Sequence, residues 1–191
     1  SNNFVQKYLE DLRVKLIVNK KNIGLTNSLN KAIKISNGKY IVRQDADDYS
    51  HLDRLGNAYN FFKTKNGVKV YSTPYIIKDK ILPRSIKWLN FNQNRLRYKN
   101  NLAHGSLIID RDLISKIEYN PEFRFAQDFD LYNRLLDKGH KIEYDINNIT
   151  YVIETGINRV SEKYSHEQQY FNNLILKRNG FGFMTLELAR I

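Results

Sequence analysis

Between Gly38 and Asp48 the chain passes from a helix-stopping glycine, through a short apolar strand at Tyr40-Ile-Val42, into three aspartates packed within four positions (Asp45, Asp47, Asp48). Few folds accommodate that order. Like charges this close repel unless a cation or hydrogen-bond donors neutralise them, so the aspartates belong at a strand end and not within a ladder. Asp45 and Asp47 are two residues apart, and an extended segment sends both side chains to one face. Hard oxygen ligands suit Mg2+ or Mn2+, and a cation held by few protein groups can also hold a diphosphate. The stretch therefore points to a metal–diphosphate site at the carboxyl end of a strand, where open α/β sheets bind ligands. The same residues, with Ser50, also fit a turn and helix N-cap ahead of Leu52.

The flanking pattern alternates between strand and helix. Residues 14–18 (Val-Lys-Leu-Ile-Val) form a strand candidate, followed by a polar loop to Gly24. Leu25, Leu29, Ala32 and Ile33 recur at helical spacing, and Leu52, Leu55, Tyr59 and Phe62 mark a second amphipathic helix closed near Asn66-Gly67. Strand, helix, strand, helix is the order of a parallel sheet. Short strands are expected at 68–71, 75–77 and 80–82, with a turn near Lys78-Asp79. The basic, aromatic segment 83–101 lacks clean periodicity and reads either as a mobile loop or as a surface helix. His104-Gly-Ser leads into a strand ending at Asp110. Phe129, Tyr132, Leu135 and Leu136 define a helix stopped by Gly139, with Asp128 and Asp130 near its start, where negative charge is favoured. Strands at 141–144 and 149–153 and a last helix over 162–178 complete the reading.

At 191 residues, 41% hydrophobic and 27% charged, the chain suits one well-buried domain. No apolar run is long enough to cross a bilayer, and no signal peptide is visible. The absence of cysteine excludes disulfides and thiolate chemistry and fits a reducing compartment. A net charge of +11, scattered singly and not in blocks, implies either a diffuse field that attracts anions or a lysine-rich solvated surface. It argues against a nucleic-acid-binding tail.

Four segments together resemble family 2 glycosyltransferases, the inverting group with a nucleotide-diphospho-sugar-binding fold. These are Asn22-Ile-Gly24-Leu-Thr-Asn-Ser-Leu-Asn30, the stretch from Gly38 to Asp48 followed by Arg54-Leu55, Asn101-Leu-Ala-His104-Gly-Ser106, and Phe125-Ala-Gln127-Asp128-Phe-Asp130-Leu-Tyr-Asn-Arg134. The resemblance covers residues 14 to about 145 and implies an α/β fold of the GT-A type: a Rossmann-like mixed sheet flanked by helices. Relative to the family pattern the chain is N-terminally truncated, entering after the first strand, helix and second strand. The family's Glu-Asp is Gln127-Asp128 here. The Arg or His that follows the last strand is not clearly placed; Glu154 or Thr155 occupies that register, and Arg159 would need a rearranged loop. A single domain over 1–191 is expected, with a partial nucleotide-sugar half at 1–82, an acceptor half at 83–160 and a C-terminal helix at 161–191.

The resemblance also implies roles. Asp47 is the direct ligand of Mn2+ or Mg2+, with Asp48 completing the turn or binding a metal water. Asp45 contacts ribose or sugar hydroxyls, and Asn22 and Arg43 line the donor pocket. Asp128 is the general base, or else a helix cap. His104 lies near metal or acceptor, or is structural. Trp88, within the basic aromatic segment, offers an acceptor platform or a membrane anchor. The implied partners are a nucleotide-diphospho-sugar, foremost a UDP-sugar, and a glycan or lipid-linked acceptor. No nucleic acid is expected; the sheet edge beside 14–18 leaves room for a homodimer. The implied setting is bacterial surface polysaccharide or lipopolysaccharide synthesis in the cytoplasm, with peripheral contact at the inner face of the plasma membrane. The alternatives are a donor-incompetent domain that binds glycan or protein, a nucleic-acid-binding domain and a phosphoryl-transfer enzyme; the last lacks a glycine-rich phosphate loop.

Overall fold

The computed structural model describes residues 5–78, 85–87, 91–154 and 163–182. In the first of two four-stranded sheets, β1 (Tyr40–Val42), β6 (Ile108–Asp110), β3 (Val70–Ser72) and β7 (Glu143–Tyr144) lie side by side in that order. The strand β6 is antiparallel to both β1 and β3, while β3 and β7 are parallel. The second sheet has the order β2 (Tyr49–Ser50), β8 (Tyr151–Glu154), β4 (Tyr75–Lys78) and β5 (Ser85–Lys87), with β4 and β8 parallel. Five helices accompany them: α1 (Gly24–Ile35), α2 (Arg54–Thr64), α3 (Arg111–Ile117), α4 (Gln127–Asp137) and α5 (Ser165–Arg178). The parallel sheet expected from strand–helix order is therefore a mixed one. β1 and β3 do share a direction, but β6 is inserted between them.

The middle strands of the first sheet, β3 and β6, are buried on both faces because the strands alternate two apolar sets. Ile41, Val70 and Ile109 face a core that holds Leu29 and Ile33 of α1, Leu113 and Ile114 of α3, and Leu131 and Leu135 of α4. Tyr40, Tyr71 and Ile108 face Ala58, Phe61 and Phe62 of α2, with the Tyr40 and Phe62 rings stacked 4.0 Å apart. Each fully buried aliphatic or aromatic side chain here contributes about 1.5–3 kcal/mol.

Three sequence expectations change. Residues 14–18 join no ladder among the described residues, and Val18 is 71% exposed. An extended segment without a neighbour forms no ladder hydrogen bonds and so is not a strand. Of the stripe read from its periodicity, helix α2 packs only Phe62 inward: Leu52, ahead of the helix, is 98% exposed, and Leu55 and Tyr59 also face solvent, while Arg54 and Ala58 turn inward. The inward hydrogen bonds of Arg54 and the aromatic packing of Phe61 and Phe62 set the rotation in place of the leucines. Segment 83–101, where it is described, is part strand, part irregular and part a short, partly exposed helical turn. It supplies β5, paired with β4, and a 3-10 turn at Gln93–Arg97 that buries Leu96. The strand expected at 80–82, Trp88, Thr155 and Arg159 lie outside the described residues.

Register decides where the site forms. Val42 pairs with Ile108, so the carboxyl end of β1 lies beside the start of β6. The segments that continue from these ends, 43–48 and the 3-10 turn His104–Ser106, share one rim of the sheet. The end of β3 reaches the same rim, where the Ser72 and Ser106 hydroxyls pair at 2.7 Å. The second sheet closes the rim from the other side, because Ser50 is opposite Tyr151.

Candidate active site

Arg43 leaves β1 with its guanidinium forked onto Asp45, at 2.8 Å from Nη1 to Oδ2 and 2.6 Å from Nη2 to Oδ1. Such bidentate pairs fix geometry as well as charge. Asp45 to Asp48 is a turn, closed by the Asp48 amide donating to the Asp45 carbonyl at 3.3 Å, and not the extended segment expected from the two-residue spacing. Burial pushes the Asp45 carboxyl up; Arg43 opposes this, while the charges of Asp48 and Asp47 reinforce it. Asp48 has both oxygens engaged: the Tyr151 hydroxyl donates to Oδ2 at 2.7 Å and the Glu154 amide to Oδ1 at 3.1 Å. Asp47 is exposed at the tip.

No set of three or more His, Cys, Asp or Glu side chains among the described residues converges on a point that could hold a metal. The turn thus fits only a cation that takes most of its ligands from water or a bound diphosphate, as Mg2+ and Mn2+ do. Asp47 is the carboxylate free to meet it.

Asp128 comes from the far side of the sequence. It stands in the first turn of α4, just after Ala126, whose left-handed backbone (φ 53°) turns the chain into the helix. Asn100 donates through Nδ2 to Asp128 Oδ2 at 2.7 Å. Burial raises the Asp128 carboxyl above the ordinary carboxylate range, and the Asn100 bond, the amides at the helix start and the Arg43 charge pull it partly back. A half-buried carboxylate with an elevated pKa is suited to accept a proton.

His104 Nε2 lies 2.7 Å from the Tyr119 hydroxyl. Burial, and then the Arg43 charge, hold its imidazole well below the ordinary value, so it is neutral. Arg43 acts electrostatically on Asp45, Asp128, His104, Tyr119 and Tyr132. The aspartate turn, the His104 segment and the start of α4 are therefore gathered around one guanidinium. Beside them, the Tyr132 hydroxyl and both amide atoms of Asn101 are buried with no protein hydrogen bond. Orphaned polar groups of this kind call for a bound hydroxyl or an ordered water.

Asn22 is held elsewhere. Its Oδ1 accepts from the Gly24 amide at 2.9 Å, and it lines a cleft of about 830 Å3 with Gly24, Thr26, Arg124, Phe125 and Tyr164. Arg43 and the aspartates are not part of that lining. The link between the two regions is structural: Asn30 of α1 pairs with both the amide and the carbonyl of Tyr119, each at 2.8 Å.

Four further residues hold these side chains in place. Asn100 orients Asp128, Tyr119 holds His104, Tyr151 holds Asp48, and Gly105 passes so close to Tyr151 that a Cβ would fall inside the phenol ring. Of these only Gly105 lies within a segment singled out in the sequence, Asn101–Ser106; Asn100, Tyr119 and Tyr151 lie outside all four such segments.

Comparison with known proteins places the chain in a family. The family described as Glycosyl transferase family 2 matches residues 1–117. An uncharacterized glycosyltransferase of Methanocaldococcus jannaschii is 26% identical over 142 residues, covering 70% of this chain and 48% of the relative. The Escherichia coli UDP-Glc:alpha-D-GlcNAc-diphosphoundecaprenol beta-1,3-glucosyltransferase WfaP is 30% identical over 136 residues, 70% of this chain and 53% of that protein. The chain thus spans about half the length of these two relatives. Among solved structures, Staphylococcus aureus TarS 1–349 in complex with UDP-GlcNAc superposes with a TM-score of 0.66 at 17% identity, over 93% of this chain and 58% of that one. The mannosyltransferase PcManGT of Pyrobaculum calidifontis, in complex with GDP-Man and Mn2+, gives 0.58 at 17% identity, over 94% and 60%. The fold is that of the GT-A glycosyltransferases, and with well over half of its length matched, the chain belongs to glycosyl transferase family 2.

Proposed function

We propose that this chain moves a glycosyl group from a nucleoside-diphosphate sugar to an acceptor hydroxyl with inversion at the anomeric carbon. The observation that carries the reading is the gathering of a raised, Asn100-oriented carboxyl at Asp128 and the Asp45–Asp48 turn around the single guanidinium of Arg43. The acceptor hydroxyl gives its proton to Asp128 as its oxygen attacks the anomeric carbon. The bond from that carbon to the diphosphate breaks on the opposite face, and its electron pair leaves with the diphosphate. Asp45 binds donor hydroxyls, Arg43 orients Asp45 beside the donor, and Asp47 is the cation ligand. Asp48 holds the turn, while His104 with Tyr119 walls the acceptor side. A Mn2+ or Mg2+ ion at Asp47 supplies charge neutralisation for the leaving diphosphate.

A UDP-sugar donor is favoured by the names of the E. coli relative and of the TarS complex, and the first of these also favours a lipid-linked acceptor in envelope polysaccharide synthesis. No helix among the described residues is long and apolar enough to cross a membrane. Calorimetric titration with UDP and with GDP, in Mn2+ and in EDTA, tests the donor half. Metal-dependent binding that Asp47→Ala abolishes is expected. A folded chain that binds neither nucleotide under any of these conditions overturns the reading and leaves a binding module on the same scaffold.

A further inference from the structure

Arg54, the first residue of α2, is 3% exposed and forms no ion pair among the described residues. A buried guanidinium without a carboxylate is costly, and an apolar side chain would serve a purely structural helix start better. Its fork is nevertheless almost fully used. Nη1 donates to the Gln44 side chain at 3.0 Å and to the Ser50 hydroxyl at 2.8 Å; Nη2 donates to the Arg43 carbonyl at 2.9 Å and to the Gly105 carbonyl. Three of these acceptors flank the Asp45–Asp48 turn, two on the strand side and one beyond it. The fourth belongs to the neighbouring His104–Ser106 segment. The guanidinium also lies 5.0 Å from the centre of the Tyr151 ring, whose hydroxyl holds Asp48.

We propose that Arg54 is a positioning residue for the donor site: its planar fork ties both ends of the aspartate turn to the Gly105 carbonyl and so sets where Asp45 and Asp47 present their carboxylates. This rests on the reading of the turn as the metal–diphosphate site. Only arginine spans four acceptors in one plane; lysine brings the charge as a single point donor. The charge itself remains, since arginine stays protonated even where burial lowers its pKa.

The test compares the wild-type chain with Arg54→Lys and with Ser50→Ala, the latter an exposed residue whose loss removes one Arg54 tether, along with the hydroxyl's own bond to the Gln44 side chain, and leaves the core intact. Backbone hydrogen exchange is followed in the segment 43–50 and, as an internal reference, in α4. Binding of UDP in the presence of Mn2+ is measured by calorimetry. In Arg54→Lys, exchange in 43–50 is expected to rise about tenfold with α4 unchanged, and UDP affinity to fall about tenfold, as for the loss of one charge-assisted contact. Ser50→Ala moves both readouts in the same direction by a smaller factor. Exchange that rises equally in both segments would make Arg54 a general structural residue, and unchanged exchange in 43–50 in either variant overturns the proposal. If the wild-type chain binds no nucleotide, the donor reading fails, and the exchange comparison still decides whether Arg54 holds the turn.

Discussion

Asp130, two residues after the proposed base, has a fully buried side chain and accepts from Arg134 Nε at 2.7 Å and from Arg178 Nη1 at 2.8 Å. Arg134 in turn donates to the carbonyls of Ile117 and Glu118, both at 2.8 Å, so the cluster pins α4 to the end of α3 and to α5. Replacing Asp130 by alanine removes two charge-assisted bonds at about 1.5–3 kcal/mol each and leaves Arg134 without its carboxylate, which agrees with the roughly 3–5 kcal/mol measured when buried pairs are broken. For a domain of this length one kcal/mol corresponds to about 2–4 °C in Tm, so the variant is expected to melt roughly 6–20 °C lower. Arg178→Ala, whose side chain is partly exposed, should cost about 1–2 kcal/mol after allowance for solvent screening. The double variant should be less destabilised than the sum of the singles, with a coupling of about 1–3 kcal/mol. Thermal and urea denaturation of the four proteins gives all three numbers. A loss below about 1 kcal/mol in Asp130→Ala, or strict additivity, would show that the cluster does not anchor α4.

The raised carboxyl of Asp128 has consequences of opposite sign for folding and catalysis. A carboxyl whose folded pKa lies above its unfolded value contributes stability below the unfolded value and loses it as pH rises through the folded one. Asp128→Asn should therefore melt higher than wild type at pH 7, converge with it in acid, and transfer no sugar; a lower Tm at pH 7 refutes the assignment. Gly105→Ala drives a methyl group into the buried Tyr151 ring. It should destabilise by about 1–3 kcal/mol and weaken Mn2+-dependent UDP binding, and unchanged binding would show that Tyr151 can yield without disturbing Asp48. Tyr151→Phe deletes the bond to Asp48 and the longer one, at 3.4 Å, that the hydroxyl accepts from the Asp45 amide. It should lower stability by about 1–3 kcal/mol with the same effect on UDP binding, checked by denaturation and calorimetry in parallel.

Much of this was legible in the residues. The short strand before the aspartates, the helix opened by Gln127-Asp128, and its stop at Gly139 (φ 76°) all follow local chemistry that tertiary contacts did not override. The spacing of Asp45 and Asp47 misled because a tight turn, and not the strand, carries them. The rotation of α2 was hidden for a related reason. Its leucines have the right period, but a buried arginine bonded to four acceptors outranks a few half-buried apolar groups. Insertion of β6 between β1 and β3 could not be read from strand order, since pairing partners distant in sequence are set by the closing of the whole sheet. The orienting residues Asn100, Tyr119 and Tyr151 act through one or two hydrogen bonds to distant segments, and so few bonds leave no periodic trace.

Gly105 gives the aspartate turn a dependence that no pattern of carboxylates records. Tyr151 occupies the space where any other residue at 105 would carry its side chain, and that tyrosine in turn grips Asp48. Transplanting the three aspartates onto another sheet would move the ligands without their footing. A graft that works would have to carry a bare backbone position opposite the turn, an aromatic ring filling it, and a guanidinium beneath. By the same reasoning, relatives that keep the aspartates but place a larger residue at the position of Gly105 should have lost the tyrosine as well.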